Sequence, residues 1–161
     1  MEERFKTFTV LIAKINRNIR KIKNREMAEY GLRSAHISCL YYLYSAVALT
    51  ATELCELCEE DKATISRALV YLEENGFITC ETKPAKRYKS PLLLTEKGKK
   101  AGKEITHKIN GVLDEISTSL SEEDRMNFYR CLTIVSNCLE QCANGSNPKT
   151  TSNIGEEDTI S

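Results

Sequence analysis

Apolar residues recur at Phe8, Leu11, Ile12, Ile15, Ile19 and Ile22, spacings of three and four that place them on one stripe of a long helix starting near Phe5. The other faces of this helix are polar or basic, and Gly31 is expected to close it. Ser34 is the expected N-cap of a second helix running through Ile37, Leu40, Leu43 and Val47. A short third helix starts at Thr50 or Thr52, puts Leu54, Leu57 and Cys58 on one face, and ends in a turn at Glu59, Glu60 and Asp61. Asp61 then caps a fourth helix whose buried face is Ile65, Leu69 and Leu72, and Gly76 ends that helix as its C′ residue.

After Gly76 the period changes from helical to extended. Phe77 to Glu81 reads as one strand and Ser90 to Leu94 as its partner, with a basic loop from Lys83 to Lys89 between them. Pro91 cannot donate to a ladder, so the second strand is an edge there or begins after it. Thr95 caps a fifth helix through Ala101, Ile105, Ile109, Val112, Leu113, Ile116 and Leu120; about 24 residues span about 36 Å, more than a small core needs. Ser121 starts a sixth helix through Phe128, Leu132, Val135 and Leu139, with Glu122, Glu123 and Asp124 where the helix dipole favours them. From Ala143 onward only Ala143, Ile154 and Ile160 are apolar, too few to offset the entropy of ordering, so residues 143–161 are expected to be disordered.

The pattern is mainly α with a small β-hairpin, in a chain of 161 residues that suits one core rather than two stacked domains. Leu, Ile, Val and Phe make up 38 residues, above the level of a disordered chain. The longest mostly apolar stretch, Cys39 to Leu49, is too short for a membrane span, and the Met1-Glu2-Glu3-Arg4 start has no apolar signal core. A cytoplasmic address is expected, with the seven cysteines reduced.

Charge changes the picture. The net charge is zero, but residues 1–30 carry eight basic and four acidic groups and residues 61–100 carry nine and five, while the other segments are net acidic. Two helices joined by a tight turn, then a hairpin with a basic tip, make a winged helix-turn-helix. A helix entering the major groove needs short polar or basic side chains near its N-terminus, so that backbone and side chains reach base edges and phosphates. Lys62, Thr64, Ser66 and Arg67 meet that need, and Lys83, Lys86, Arg87 and Lys89 at the hairpin tip suit phosphates or a minor groove. His36 reads as a phosphate contact or a helix-start residue, with Ser34 beside it as a second candidate for the DNA backbone. The basic groups Arg17, Arg20, Lys21, Lys23 and Arg25 read as the exposed side of a dimerisation helix.

Four runs resemble the MarR (multiple antibiotic resistance regulator) family. They are Ala51 to Leu57, Asp61 to Leu69, Leu72 to Ile78, and Leu94-Thr95-Glu96-Lys97-Gly98, all in register at the family's spacing. The layout of one long helix before and two after agrees over about residues 5–142. The resemblance implies a homodimer with interlocking terminal helices that reads a pseudo-palindromic DNA operator. It divides the chain into a dimerisation helix (1–30), a winged DNA-binding domain (31–98), C-terminal dimerisation helices (99–142) and the tail. It also implies a small-molecule effector cavity near the first, second and fifth helices, for which Tyr41, Tyr42 and Tyr44 are candidate lining residues. Three positions depart from the family pattern. Lys86 and Tyr88 stand where members carry an Asp and, two positions on, a groove-entering Arg, and Tyr71 stands where members commonly carry Arg. Arg87 either enters the minor groove or, with Lys86, holds phosphates.

Other readings stand beside this one. No Ser-His-Asp group, Walker loop, dinucleotide fingerprint or His-Glu-x-x-His motif is present, so neither an enzyme nor a cofactor is expected. Cys55 and Cys58 have the spacing of a metal or redox pair, but with only His36 and His107 as further histidines no metal site is expected, and small apolar packing is the simpler account. Packing is also expected for Cys131, Cys138 and Cys142. The alternatives to an effector-modulated regulator are a sequence-blind DNA-coating or protein-interaction module, and a thiol-based redox-sensing regulator.

Overall fold

The computed structural model describes residues 2–46, 48–80 and 90–145. In chain order the elements are α1 (Glu2–Glu26), a 3-10 turn (Ala28–Tyr30), α2 (Ser34–Ser45), α3 (Ala51–Cys58), α4 (Lys62–Glu74), β1 (Ile78–Cys80), β2 (Leu92–Leu94), α5 (Glu96–Thr118) and α6 (Glu122–Ala143). The fold is mainly α with a two-stranded antiparallel wing, as the pattern predicts. The chain divides into two compact units, Met1–Leu113 and Asp114–Ser161.

In the first unit, Ile37, Leu40, Leu54, Ile65, Leu72, Phe77, Leu92 and Ile105 are almost completely buried and join α2, α3, α4, both strands and α5 in one core. Burial of each such side chain contributes roughly 1.5–3 kcal/mol against conformational entropy. β1 and β2 pair Ile78 with Leu94, Thr79 with Leu93 and Cys80 with Leu92. Leu92 also bridges Leu49, its amide donating to the Leu49 backbone carbonyl at 2.9 Å, which seats the wing on the segment before α3. The Lys108 ammonium donates to the Glu26 carbonyl at 2.7 Å and pairs with Glu29 at 3.1 Å, tying α5 to the end of α1. The buried face of α5 is Gly98, Ala101, Gly102 and Ile105.

In the second unit, Ser121 caps α6 by accepting from the Asp124 amide at 3.1 Å. No residue of α6 is buried in the single chain, and Phe128, Leu132 and Leu139 are exposed. The α1 stripe is likewise open, with Leu11 51% and Ile15 48% exposed.

Several boundaries differ from the sequence expectation. α1 stops at Glu26, and Gly31, at φ +68°, closes the 3-10 turn instead of the helix. Arg33, not Ser34, is the N-cap of α2; Ser34 is its first helical residue. The cause lies outside the local sequence, because the Ser34 amide donates to Asn24 Oδ1 of α1 at 2.8 Å. Phe77 and Ser90 fall outside the strands, and β2 begins one residue past Pro91. Ala143 is the last residue of α6 rather than the start of the tail. The tail beyond Gly145 lies outside the described residues.

Candidate nucleic-acid interface

The helix-turn-helix is built from caps. Thr50 accepts the Glu53 amide at 3.3 Å while the Glu53 carboxylate accepts the Thr50 amide at 2.7 Å, the reciprocal arrangement of a capping box. These bonds from Thr50 hold the Glu53 carboxyl below the usual carboxylate range. α3 ends at Glu59 in the left-handed region, φ 53°, which turns the chain toward Asp61 within two residues.

Asp61 organises the start of α4. Its Oδ1 accepts the Thr64 amide at 2.8 Å, its Oδ2 accepts the Thr64 hydroxyl at 2.9 Å, and the Arg67 guanidinium donates to the same hydroxyl at 3.2 Å. The Thr64 bonds hold the Asp61 carboxyl below its ordinary range. Thr64 is therefore engaged as the link that orients Arg67. Ile65, Ala68, Leu69 and Leu72 are buried, and Lys62, Ser66, Arg67 and Val70 face outward on the opposite side.

The base of the wing is a clamp that the sequence reading did not foresee. Thr95 Oγ1 donates to the Gly76 carbonyl at 2.7 Å and accepts the Gly98 amide at 3.0 Å. Lys97 donates to the Asn75 carbonyl at 2.7 Å and lies 4.2 Å above the Phe77 ring. A Cβ on Gly98 would sit 2.0 Å from the Phe77 carbonyl oxygen. The Asn75-Gly76-Phe77 and Thr95-Glu96-Lys97-Gly98 segments are thus two halves of one joint between α4, the wing and α5. The ladder closes at Cys80 and Leu92, and the wing cations Lys83, Lys86, Arg87 and Lys89 lie outside the described residues.

At the N-terminus of α2, the Arg33 amide donates to His36 Nδ1 at 3.2 Å, and burial followed by the nearby Arg33 charge lowers the His36 pKa. The His36 ring stacks on Tyr71 of α4. The Tyr71 hydroxyl donates to the Gly31 carbonyl at 3.0 Å. His36 thus has a helix-start and packing role here, and the Ser34 amide is already held by Asn24.

Tyr41 and Tyr42 pack edge to face at 5.4 Å. Tyr44 instead lines a cleft of about 410 Å³ with Leu43, Ala46, Leu93, Leu94 and Lys99, at the junction of α2, β2 and α5. Among the basic groups of α1, Arg20 pairs with Glu60 at 3.5 Å, Lys23 donates to Ser38 Oγ at 3.0 Å and Arg25 pairs with Glu26 at 2.7 Å. Cys39 is buried and Cys55 and Cys58 are half-buried. Cys131, Cys138 and Cys142 are exposed, against the expectation that they pack, because α6 has no buried face within the chain. Among the described residues, no three His, Cys, Asp or Glu side chains are placed to hold a metal ion, and no helix is long and apolar enough to cross a membrane.

A helix-turn-helix with a polar outward face, followed by a two-stranded wing, is the architecture of winged-helix DNA-binding proteins. The chain is 30% identical over 121 residues to an uncharacterized HTH-type transcriptional regulator of Bacillus subtilis strain 168, YwoH, covering 73% of this chain and 88% of that protein. It superposes on the crystal structure of MarR with a TM-score of 0.68 at 26% identity, over 84% of this chain and 93% of that one. The S. aureus MepR–DNA complex gives a TM-score of 0.73 at 19% identity over 81% and 96% of the two chains. S. aureus MarR in complex with salicylate and kanamycin gives 0.75 at 17% over 87% and 95%. No protein-family model matches the sequence. The chain belongs to the MarR family of HTH-type transcriptional regulators.

Proposed function

We propose that this chain works as a homodimer that binds a pseudo-palindromic operator, with α4 of each copy in the major groove and the wing cations on the flanking phosphates. The observation that carries the reading is the outward N-terminal turn of α4, where Lys62, Ser66 and Arg67 are exposed and the Asp61–Thr64 network holds Arg67 in place. Ser66 and Arg67 read base edges, and Lys62 with Lys83, Lys86, Arg87 and Lys89 binds phosphate. Ser34 and His36 at the start of α2 are the nearest further candidates for a backbone contact. The exposed apolar stripes of α1, α5 and α6 suit the dimer contact. Two groove-entering helices then read half-sites about one helical turn apart, roughly 34–36 Å.

The Tyr44 cleft is the candidate effector site. Its 410 Å³ falls in the ordinary range of small-molecule pockets, and Lys99 at its edge, paired with Glu96 at 2.7 Å, offers a cation to an acidic ligand. S. aureus MarR, of the same fold, was solved with salicylate bound. An effector that releases DNA must itself bind the DNA complex less well, by linkage.

Sedimentation and fluorescence anisotropy with duplex from immediately upstream of the protein's own gene test the reading. A dimer that prefers this duplex over random DNA by a factor on the order of 10³ is expected. A monomer, or equal affinity for both duplexes, would overturn it in favour of a coating or protein-interaction module.

A further inference from the structure

Between Glu3 and Glu26 the chain carries eight basic residues and no acidic one. Folded as α1, this stretch has two opposed faces. One is the apolar stripe centred on Ile15. The other holds Ala13, Asn16, Arg17, Arg20, Lys21 and Asn24, about 160° around the helix from the stripe at about 100° per residue. These six residues line a shallow groove of about 480 Å³. A dimer packed on the apolar stripe therefore leaves the groove open to solvent.

The cations of α1 are not equivalent. Lys23 is half-buried and donates to Ser38 Oγ at 3.0 Å, and Arg25 pairs with Glu26 at 2.7 Å, so both are engaged by neighbours. Arg17 and Lys21 are exposed and have no ion-pair partner among the described residues. Arg20 reaches Glu60 at 3.5 Å, an exposed pair that a stronger anion can open. Asn24 Oδ1 accepts the Ser34 amide, which leaves its amide nitrogen to donate at the end of the groove. Glu60 immediately precedes Asp61, the N-cap of the recognition helix, so the Arg20 pair sets the groove beside the turn that carries Lys62, within the same compact unit.

Guanidinium, ammonium and carboxamide donors with one apolar neighbour, Ala13, suit oxyanions and give no hold to an apolar peptide or an acyl chain. From Ala13 to Asn24 the groove runs about 16 Å, room for more than one phosphate along a strand. The net charge of the chain is zero, so attraction for a polyanion must come from faces on which charge is segregated in this way.

We propose that the basic groove of α1 binds the phosphate backbone of duplex DNA beside the half-site that α4 enters, through Arg17, Arg20 and Lys21; the inference rests on the regulator reading above. A phosphate replaces Glu60 as the partner of Arg20, and Arg17 and Lys21 gain a partner. The contact carries no sequence information. It adds affinity and salt dependence and fixes where the domain sits on the duplex, while base readout stays with α4. α1 thus has a dimer side and a DNA side.

The test uses full-length protein, the upstream duplex, a random duplex of equal length, and anisotropy at several salt concentrations. In the double variant Arg17→Gln/Lys21→Gln the slope of log affinity against log salt is expected to fall by nearly two, about 0.9 per contact. Both duplexes should be bound at least about tenfold more weakly near 0.1 M salt, with the preference between them kept. Phosphate-ethylation interference should reveal phosphates on which wild type depends and the double variant does not. Arg17→Lys/Lys21→Arg keeps the charges and should keep the slope. An unchanged slope, or a loss confined to the upstream duplex, overturns the inference. So does a double variant that sediments as a monomer where wild type is a dimer, which would assign the groove to the dimer contact. Wild type that binds both duplexes equally, with the double variant weaker on both, defeats the operator reading and keeps the groove; wild type that binds no duplex overturns both.

Discussion

The imidazole of His36 lies flat on the phenol ring of Tyr71, with centroids 4.2 Å apart and planes within 3°. One ring belongs to the first turn of α2 and the other to α4, so the stack couples the recognition helix to the segment that follows α1. The Tyr71 hydroxyl continues the link to the Gly31 carbonyl at 3.0 Å. Tyr71 is thus a joint inside the protein.

This joint requires a neutral His36, because Nδ1 accepts the Arg33 amide. Burial lowers the folded-state pKa of His36 below its ordinary 6.5. The unfolded chain then binds the proton more readily, so stability is complete above about pH 6.5 and declines as pH falls through the window between the unfolded and folded values. Thermal melting between pH 7.5 and 5.5 should show a falling Tm in wild type and a flatter profile in His36→Phe, which keeps a ring on Tyr71. The capping carboxylates Glu53 and Asp61, both lowered by their hydrogen bonds, lose their contribution only at more acid pH. Equal slopes for the two proteins would exclude His36 as the group responsible.

Tyr71→Phe preserves the stack and removes the bond to Gly31. Urea unfolding is expected to show a loss of about 1 kcal/mol with an unchanged m-value.

Two glycines of α5 should respond to alanine with opposite signs. At Gly98 a Cβ would meet the Phe77 carbonyl oxygen at 2.0 Å, and displacing that backbone is expected to cost about 1–3 kcal/mol or more. At Gly111 nothing lies within 4 Å of the added Cβ, and Gly111→Ala should gain up to about 1 kcal/mol from helix propensity. Denaturant titration of the two single variants checks the contrast.

On DNA, Arg67→Ala is expected to lose discrimination between operator and random duplex, at about 1–3 kcal/mol, whereas Lys86→Ala weakens both duplexes alike and reduces the salt slope by about one. Anisotropy titrations at several salt concentrations separate the two. Identical behaviour would contradict the roles assigned to helix and wing.

Ile15 is 48% exposed at the centre of the α1 stripe. Ile15→Glu puts a charge where a second copy is proposed to pack, and sedimentation should show a shift from dimer toward monomer with helical content kept.

Much of the fold was legible because its signals are short-range. The Asp61 cap, the Gly76 stop and the buried Ile65–Leu69–Leu72 face each depend on residues a few positions apart, and each is where the sequence pattern placed it, while the start of α3, left between Thr50 and Thr52, is fixed by the Thr50–Glu53 capping box. The N-cap of α2 was misplaced because its local signal, Ser34, competes with a partner on another helix, Asn24. Of the recognition helix, the residue types were readable, but not that the Thr64 hydroxyl is engaged between Asp61 and Arg67. The tyrosines of α2 looked alike in sequence, and only packing sends Tyr44 to the cleft and sets Tyr41 and Tyr42 edge to face.

By itself the sequence determined the element order, the capped helices, the basic block that marks the wing and the resemblance that names the family, since helical period, capping and charge are properties of neighbours along the chain. Only the tertiary structure decided the His36–Tyr71 stack and the clamp of Thr95 and Lys97 on Asn75 to Phe77. These contacts join residues about 19 to 35 positions apart. No local preference encodes them; they arise when burial of a shared core brings separate elements to within a few ångströms of one another.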